Sequence, residues 1–90
     1  MIQFSTDFLK VLKIEKGLAE NSILSYKRDL AKYHAFISNR QRIDDITNVT
    51  QRNLRAYVRF LNAENISPNS IKRAISCIRN YHQFLSLIHI

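Results

Sequence analysis

The sequence predicts an all-α domain of four helices. One Gly and one Pro in 90 residues leave too few turn formers for a sheet-rich fold. The apolar spacing is helical throughout. The chain also repeats itself at an offset of 48 residues: Leu18, Asn21, Ser22, Ile23, Tyr33, His34, Phe36 and Ile37 recur as Ile66, Asn69, Ser70, Ile71, Tyr81, His82, Phe84 and Leu85. One helix pair is thus written twice.

The first helix is expected to start near Ser5 or Thr6, either of which can cap it. It presents Phe8, Leu9, Val11 and Leu12 and stops at Gly17, a residue suited to the left-handed turn that ends helices. The second runs from about residue 20 to 38, with Ile23, Tyr26, Leu30, Tyr33 and Ile37 in a 3-4-3-4 rhythm and Phe36 widening the stripe. A polar connection containing Asp44, Asp45 and Asn48 follows. Thr50 caps the third helix, whose Leu54, Tyr57, Val58 and Leu61 face inward as far as Glu64. Ser67 caps the fourth, and Pro68 takes its first position, where a missing N–H costs nothing. Its stripe of Ile71, Ala74, Ile78, Tyr81, Leu85 and Ile88 still holds as the sequence ends. Part of that tail, with Leu87 and Ile90 beside the stripe, is expected to be exposed and to lead toward something beyond this chain.

Charge is sorted between the helices. The net charge is +7, yet residues 1–20 balance Lys10, Lys13 and Lys16 against Asp7, Glu15 and Glu20, and residues 44–67 balance Arg52, Arg55 and Arg59 against Asp44, Asp45 and Glu64. Residues 21–43 hold Lys27, Arg28, Lys32, Arg40 and Arg42 against Asp29 alone, and residues 68–90 hold Lys72, Arg73 and Arg79 against no acid. The second member of each pair carries the excess. A basic surface of this kind points first to nucleic acid.

Other chemistries find little support. A single Gly excludes a glycine-rich phosphate loop. His34, His82 and His89 lack the spacing and neighbours of metal ligands, and the repeat relation of His34 to His82 fits a shared packing role. Tyr26, Tyr33, Tyr57 and Tyr81 all fall on apolar stripes, as core residues do. The lone Cys77 sits in an apolar stretch and reads as a small hydrophobe. No cofactor is implied. The N-terminus lacks a basic region followed by an apolar run, and the apolar tail from Phe84 is shorter than the roughly 20 residues of a membrane span. A single domain over residues 1–90, cytoplasmic and independent of membranes, is expected.

The polar faces of the second and fourth helices remain: Ser22, Ser25, Lys27, Arg28 and Lys32 on one, Lys72, Arg73, Ser76, Arg79 and Asn80 on the other. Both helices begin with an amide and a hydroxyl, Asn21-Ser22 and Asn69-Ser70, whose side chains suit phosphate oxygens.

The string from Gly17 to Leu30, GLAENSILSYKRDL, resembles the LSENTLRAYRRDL signature of the N-terminal domain of tyrosine recombinases of the phage integrase and Xer type. Ser67 to Leu85 resembles the last helix of that domain, and Ile46-Thr47 with Val49 to Leu54 the start of its third, so that the likeness covers residues 4 to 86. The resemblance implies a SAM-like fold, two crossed antiparallel helical hairpins, forming one half of a clamp on the recombination site with its second and fourth helices against the DNA major groove. Carried over by position, it implies DNA contacts from Asn21, Ser22, Tyr26, Lys27 and Arg28, and from Ser70, Lys72, Arg73, Ser76 and Arg79; the spacing of Tyr26 equally suits the core. It implies as partners double-stranded DNA, the catalytic domain of a parent recombinase and other recombinase protomers. Two departures stand out: Cys77 replaces the family's usual Ala, and Ala19 its usual Ser or Thr at the cap of the second helix. The family's catalytic domain, with its His-x-x-Arg and nucleophilic Tyr, has no counterpart in these residues. Neither His34 nor His82 is followed by Arg three positions on, and no strand cleavage is expected of this chain itself. The competing reading is a helical protein–protein interaction domain whose basic face is incidental.

Overall fold

The computed structural model describes residues 2–43 and 48–88. Four helices follow in order: α1 Ile2–Glu15, α2 Glu20–Asn39, α3 Gln51–Ala63 and α4 Pro68–Ile88. Among the described residues there is no strand. The connections after α1 and after α3 are short, so each pair folds back as an antiparallel hairpin. The hairpins cross where α2 lies on α4; α1 packs on both of these helices, and so does α3. The result measures 34 × 31 × 17 Å, a slab two helices thick.

The helix ends follow from local chemistry. Gly17 adopts φ +63°, and the turn it makes returns the Leu18 N–H to the Leu12 carbonyl. Asn65, its counterpart 48 residues on, adopts φ 60°. The Asn65 and Ile66 N–H groups then bond back to the carbonyls of Asn62 and Leu61, closing α3 with a left-handed cap. Thr50 caps α3 reciprocally with Asn53: its Oγ1 accepts the Asn53 N–H, and its own N–H donates to Asn53 Oδ1. Ser67 accepts the Ser70 N–H at the start of α4, as its place before Pro68 predicts. The expected start of α1 near Ser5 or Thr6 needs correction, because the helix begins at Ile2. Nothing among residues 2–5 breaks a helix, and both candidate caps lie inside it.

The core is the set of stripes read from the sequence. Phe8 and Leu12 of α1 meet Leu30, Tyr33, Phe36 and Ile37 of α2, Tyr57 and Leu61 of α3, and Ile71, Ala74, Ile78, Tyr81 and Leu85 of α4. Leu9, Val11, Leu54 and Val58 are half-buried at the margins. Cys77 is fully buried, and burial pushes its thiol up to about 12, so it fills space rather than reacts. In the tail, Leu85 belongs to the core while Leu87 is 68% exposed. The Ile88 side chain, Ile90, Asp44, Asp45 and Ile46-Thr47 lie outside the described residues, and with them the expectations placed there.

The polar content of this core is organised by the repeat. Tyr33 Oη and His82 Nε2 are hydrogen-bonded at 2.7 Å, and Tyr81 Oη and His34 Nε2 at 3.2 Å. Each Tyr of one hairpin therefore meets the His of the other. Burial raises the Tyr33 pKa and raises Tyr81 to about 12, while it lowers His34 from 6.5 to about 4 and lowers His82. The phenols are thus protonated and the imidazoles neutral at pH 7, which lets each O–H donate to a ring nitrogen. Edge and tilted ring contacts surround these bonds, Tyr33 on Tyr57 at 5.2 Å and Phe8 on Tyr81 at 5.4 Å, each worth about 0.5–1.5 kcal/mol beyond its burial.

A pH dependence follows. His34 takes up a proton near 6.5 when unfolded and near 4 when folded, so the unfolded state binds more protons between those values. Stability is fully present above pH 6.5 and is lost as pH falls toward 4, by about 3 kcal/mol. The urea midpoint is expected to drop between pH 7 and pH 4.5, and to drop less in His34→Gln. A midpoint unchanged over that range would contradict the assignment.

Candidate nucleic-acid interface

The polar flanks of α2 and α4 meet in a seam. Arg73 donates from Nε to Asp29 Oδ2 at 2.9 Å and from Nη2 to Asp29 Oδ1 at 3.0 Å, a two-pronged bridge between the hairpins. This bridge raises the Arg73 pKa further above its ordinary value. One turn away, the Cys77 thiol points at the Tyr26 carbonyl at 3.9 Å. Ser22 and Ser25 lie seven and four residues before Asp29, on its side of α2, and Ser70 and Ser76 lie three residues either side of Arg73. Arg28 is exposed beside Asp29, and Asn21 is exposed one row away. Asn21, Ser25, Arg28 and Lys32 form one stripe at spacings of four and three, and Lys32 reaches Glu64 at the end of α3 at 3.0 Å.

The other basic residues turn away from the seam. Lys27 lines a groove between α1 and α2 with Thr6, Lys10 and Lys13. Arg79 lines a groove between α3 and α4 with Leu54, Arg55 and Ile75. Lys72, seven residues before Arg79, is exposed on that same side of α4. Lys10 and Lys13 of α1 share the groove of Lys27, and Arg55 of α3 shares that of Arg79, placements that the net neutrality of the first and third helices does not reveal. Tyr26 is half-buried and lines the groove between α1 and α4 with Phe8, Leu12 and Phe84, so its ring is held in the core margin. Ser70 spends its N–H on Ser67 and accepts the Ser67 hydroxyl at 3.0 Å.

The two helix starts differ. Ser67 caps α4, whereas Ala19 stands in extended backbone at the start of α2 with no side-chain hydrogen bond. The first N–H groups of α2, at Asn21 and Ser22, therefore lack an acceptor from the cap. Among the described residues no group of three or more His, Cys, Asp or Glu can hold a metal ion, and no helix is long and apolar enough to cross a membrane.

The family described as "Phage integrase, N-terminal SAM-like domain" matches residues 6–87. The chain belongs to that family. Among curated proteins, the "Tyrosine recombinase XerD" of Rickettsia bellii is 39% identical over 84 residues, which is 93% of this chain and 27% of that protein. Its namesake in Rickettsia prowazekii is 39% identical over 84 residues, 93% of this chain and 26% of that protein. The one from Staphylococcus haemolyticus is 40% identical over 78 residues, 87% of this chain and 26% of that protein. The chain thus spans about a quarter of the length of the curated relatives it matches. No solved structure gives a significant match. Two hairpins crossed at their second members are the form this phage integrase domain takes here.

The bare cap at Ala19 yields a direct test. Ala19→Ser supplies an acceptor for the Ser22 N–H and is expected to stabilise the domain by about 1 kcal/mol, a rise in Tm of roughly 4–8 °C for a domain this size. A thermal melt checks it, and an unchanged Tm would mean that the start of α2 is already satisfied.

Proposed function

We propose that this domain grips duplex DNA through the seam of α2 and α4, as the N-terminal half of a clamp in a tyrosine site-specific recombinase. The observation that carries the reading is the Asp29–Arg73 bridge, which joins the two helices holding the excess charge along their polar flanks. Helices of 20 and 21 residues are about 30 Å long, and a major groove about 12 Å wide admits one such rod. In this reading Arg28 and Arg73 meet phosphates at the seam, while Lys27 and, on the α3 side, Lys72 and Arg79 reach flanking phosphates from the grooves beside it; these contacts set register and most of the affinity. Asn21, Ser22, Ser70 and Ser76 hydrogen-bond to phosphates or base edges, and Tyr26 supports them from the groove margin.

Strand cleavage and rejoining belong to a catalytic domain outside these 90 residues. The partners are double-stranded DNA, that catalytic domain and further recombinase protomers on the same DNA, in the cytoplasm. The family membership and the name of the relatives support this, and so does the sorting of charge within the chain.

Fluorescence anisotropy with a duplex of about 30 base pairs tests the reading. Affinity is expected in the range of about 10⁻⁴ to 10⁻⁶ M and to fall steeply with salt. The pair Arg28→Ala and Lys72→Ala is expected to cost roughly tenfold or more at low salt. Arg52→Ala and Arg59→Ala, exposed on α3, remove the same charge and are expected to cost much less. Equal losses would show that only bulk charge is sensed. Binding indifferent to salt would favour a protein partner instead.

A further inference from the structure

Asp29 is an acid in the wrong place for a DNA-binding face. It is the one acid among residues 21–43, it sits in the middle of the seam, and by simple repulsion it would weaken any contact with phosphate. We infer that Asp29 is a positioning residue, which holds the guanidinium of Arg73 in one orientation so that its remaining N–H groups meet a DNA phosphate already ordered. This inference rests on the DNA-binding reading and deepens it.

The geometry supports the assignment in three ways. The bridge uses Nε–H and one N–H of Nη2, two of the five N–H donors of the guanidinium, and leaves three for another partner. The Asp29 side chain is 11% exposed and that of Arg73 is 43% exposed, so the carboxylate is sunk in the seam while the far edge of the guanidinium reaches solvent. A planar fork held on both prongs loses little further freedom when a phosphate binds its outer edge. Finally, the pair has no counterpart across the repeat. Asp29 corresponds to Cys77 and Arg73 to Ser25, whereas the Tyr–His bonds that join the hairpins occur twice. The crossing is already fastened without this bridge.

The test is a thermodynamic cycle on the 90-residue chain, with wild type, Asp29→Asn, Arg73→Ala and the double variant titrated into the same duplex over a range of NaCl, and folding followed by circular dichroism. Asp29→Asn raises the net charge by one, yet it is expected to weaken binding by about tenfold and to reduce the slope of log K against log[salt] by about one. In the Arg73→Ala background the same substitution removes only a repulsion and is expected to strengthen binding. A purely structural role does not reverse sign in this way. Asp29→Asn binding as tightly as wild type, or tighter, overturns the positioning role and leaves the DNA reading standing. A wild-type chain without salt-dependent binding overturns both. Where Asp29→Asn does not fold, Arg73→Lys decides: it keeps the charge but offers no fork. It is expected to lose several-fold in affinity, and wild-type affinity in that variant overturns the proposal.

Discussion

The crossing of α2 on α4, fastened by two reciprocal Tyr–His hydrogen bonds, is the constraint on which the rest of this domain depends. Tyr33 meets His82, and His34 meets Tyr81. Hydroxyl and imidazole groups are costly to bury without partners, so helices meeting at another register would leave four polar groups unpaired in an apolar setting. The bonds therefore select one crossing out of the many that apolar stripes alone would tolerate. Their repetition has a simple origin in the sequence, since residues related by 48 positions exchange partners across an approximate two-fold relation. Among the described residues no buried side-chain nitrogen or oxygen is left without a partner.

The position of the seam follows from that crossing. With the inward faces of α2 and α4 fixed on each other, the flanks beside them are brought edge to edge, and Asp29 comes within bonding distance of Arg73. The flanks of the two helices that carry the excess charge are thereby joined, without any special arrangement of the loops. The thinness of the slab matters as well. At 17 Å, two layers deep, both basic helices share one layer boundary, and neither is hidden beneath a third layer.

Much of the fold was legible in the sequence. Caps at Thr50 and Ser67 and the turn at Gly17 are decided by neighbours within a few residues, and the apolar stripe of α4 needed only its period to identify Ile71, Ala74, Ile78, Tyr81 and Leu85 as core. The start of α1 was misplaced because Ser5 and Thr6 serve as well inside a helix as before one, and nothing in residues 2–5 forces the choice. The site was legible only as a composition. Which helices carry the charge can be counted, but whether Lys27 turns toward α1, Arg79 toward α3 and Arg73 toward Asp29 depends on packing between segments up to 50 residues apart, which no local rule encodes. The one signal for the bridge was the isolation of Asp29 among basic residues. An acid that survives in such a stretch asks for a partner, and sequence spacing does not say where.

The central claim is that the crossing presents α2 and α4 together as the DNA-binding face. Amide chemical shifts of the isotope-labelled chain, followed while duplex DNA is added at moderate salt, test it most directly. The account predicts that the largest changes fall together on residues 20–28 and 69–80, with small changes along the outer face of α3 at Arg52, Asn62 and Ala63. Changes concentrated on α3, or on only one of the two hairpins, would contradict it.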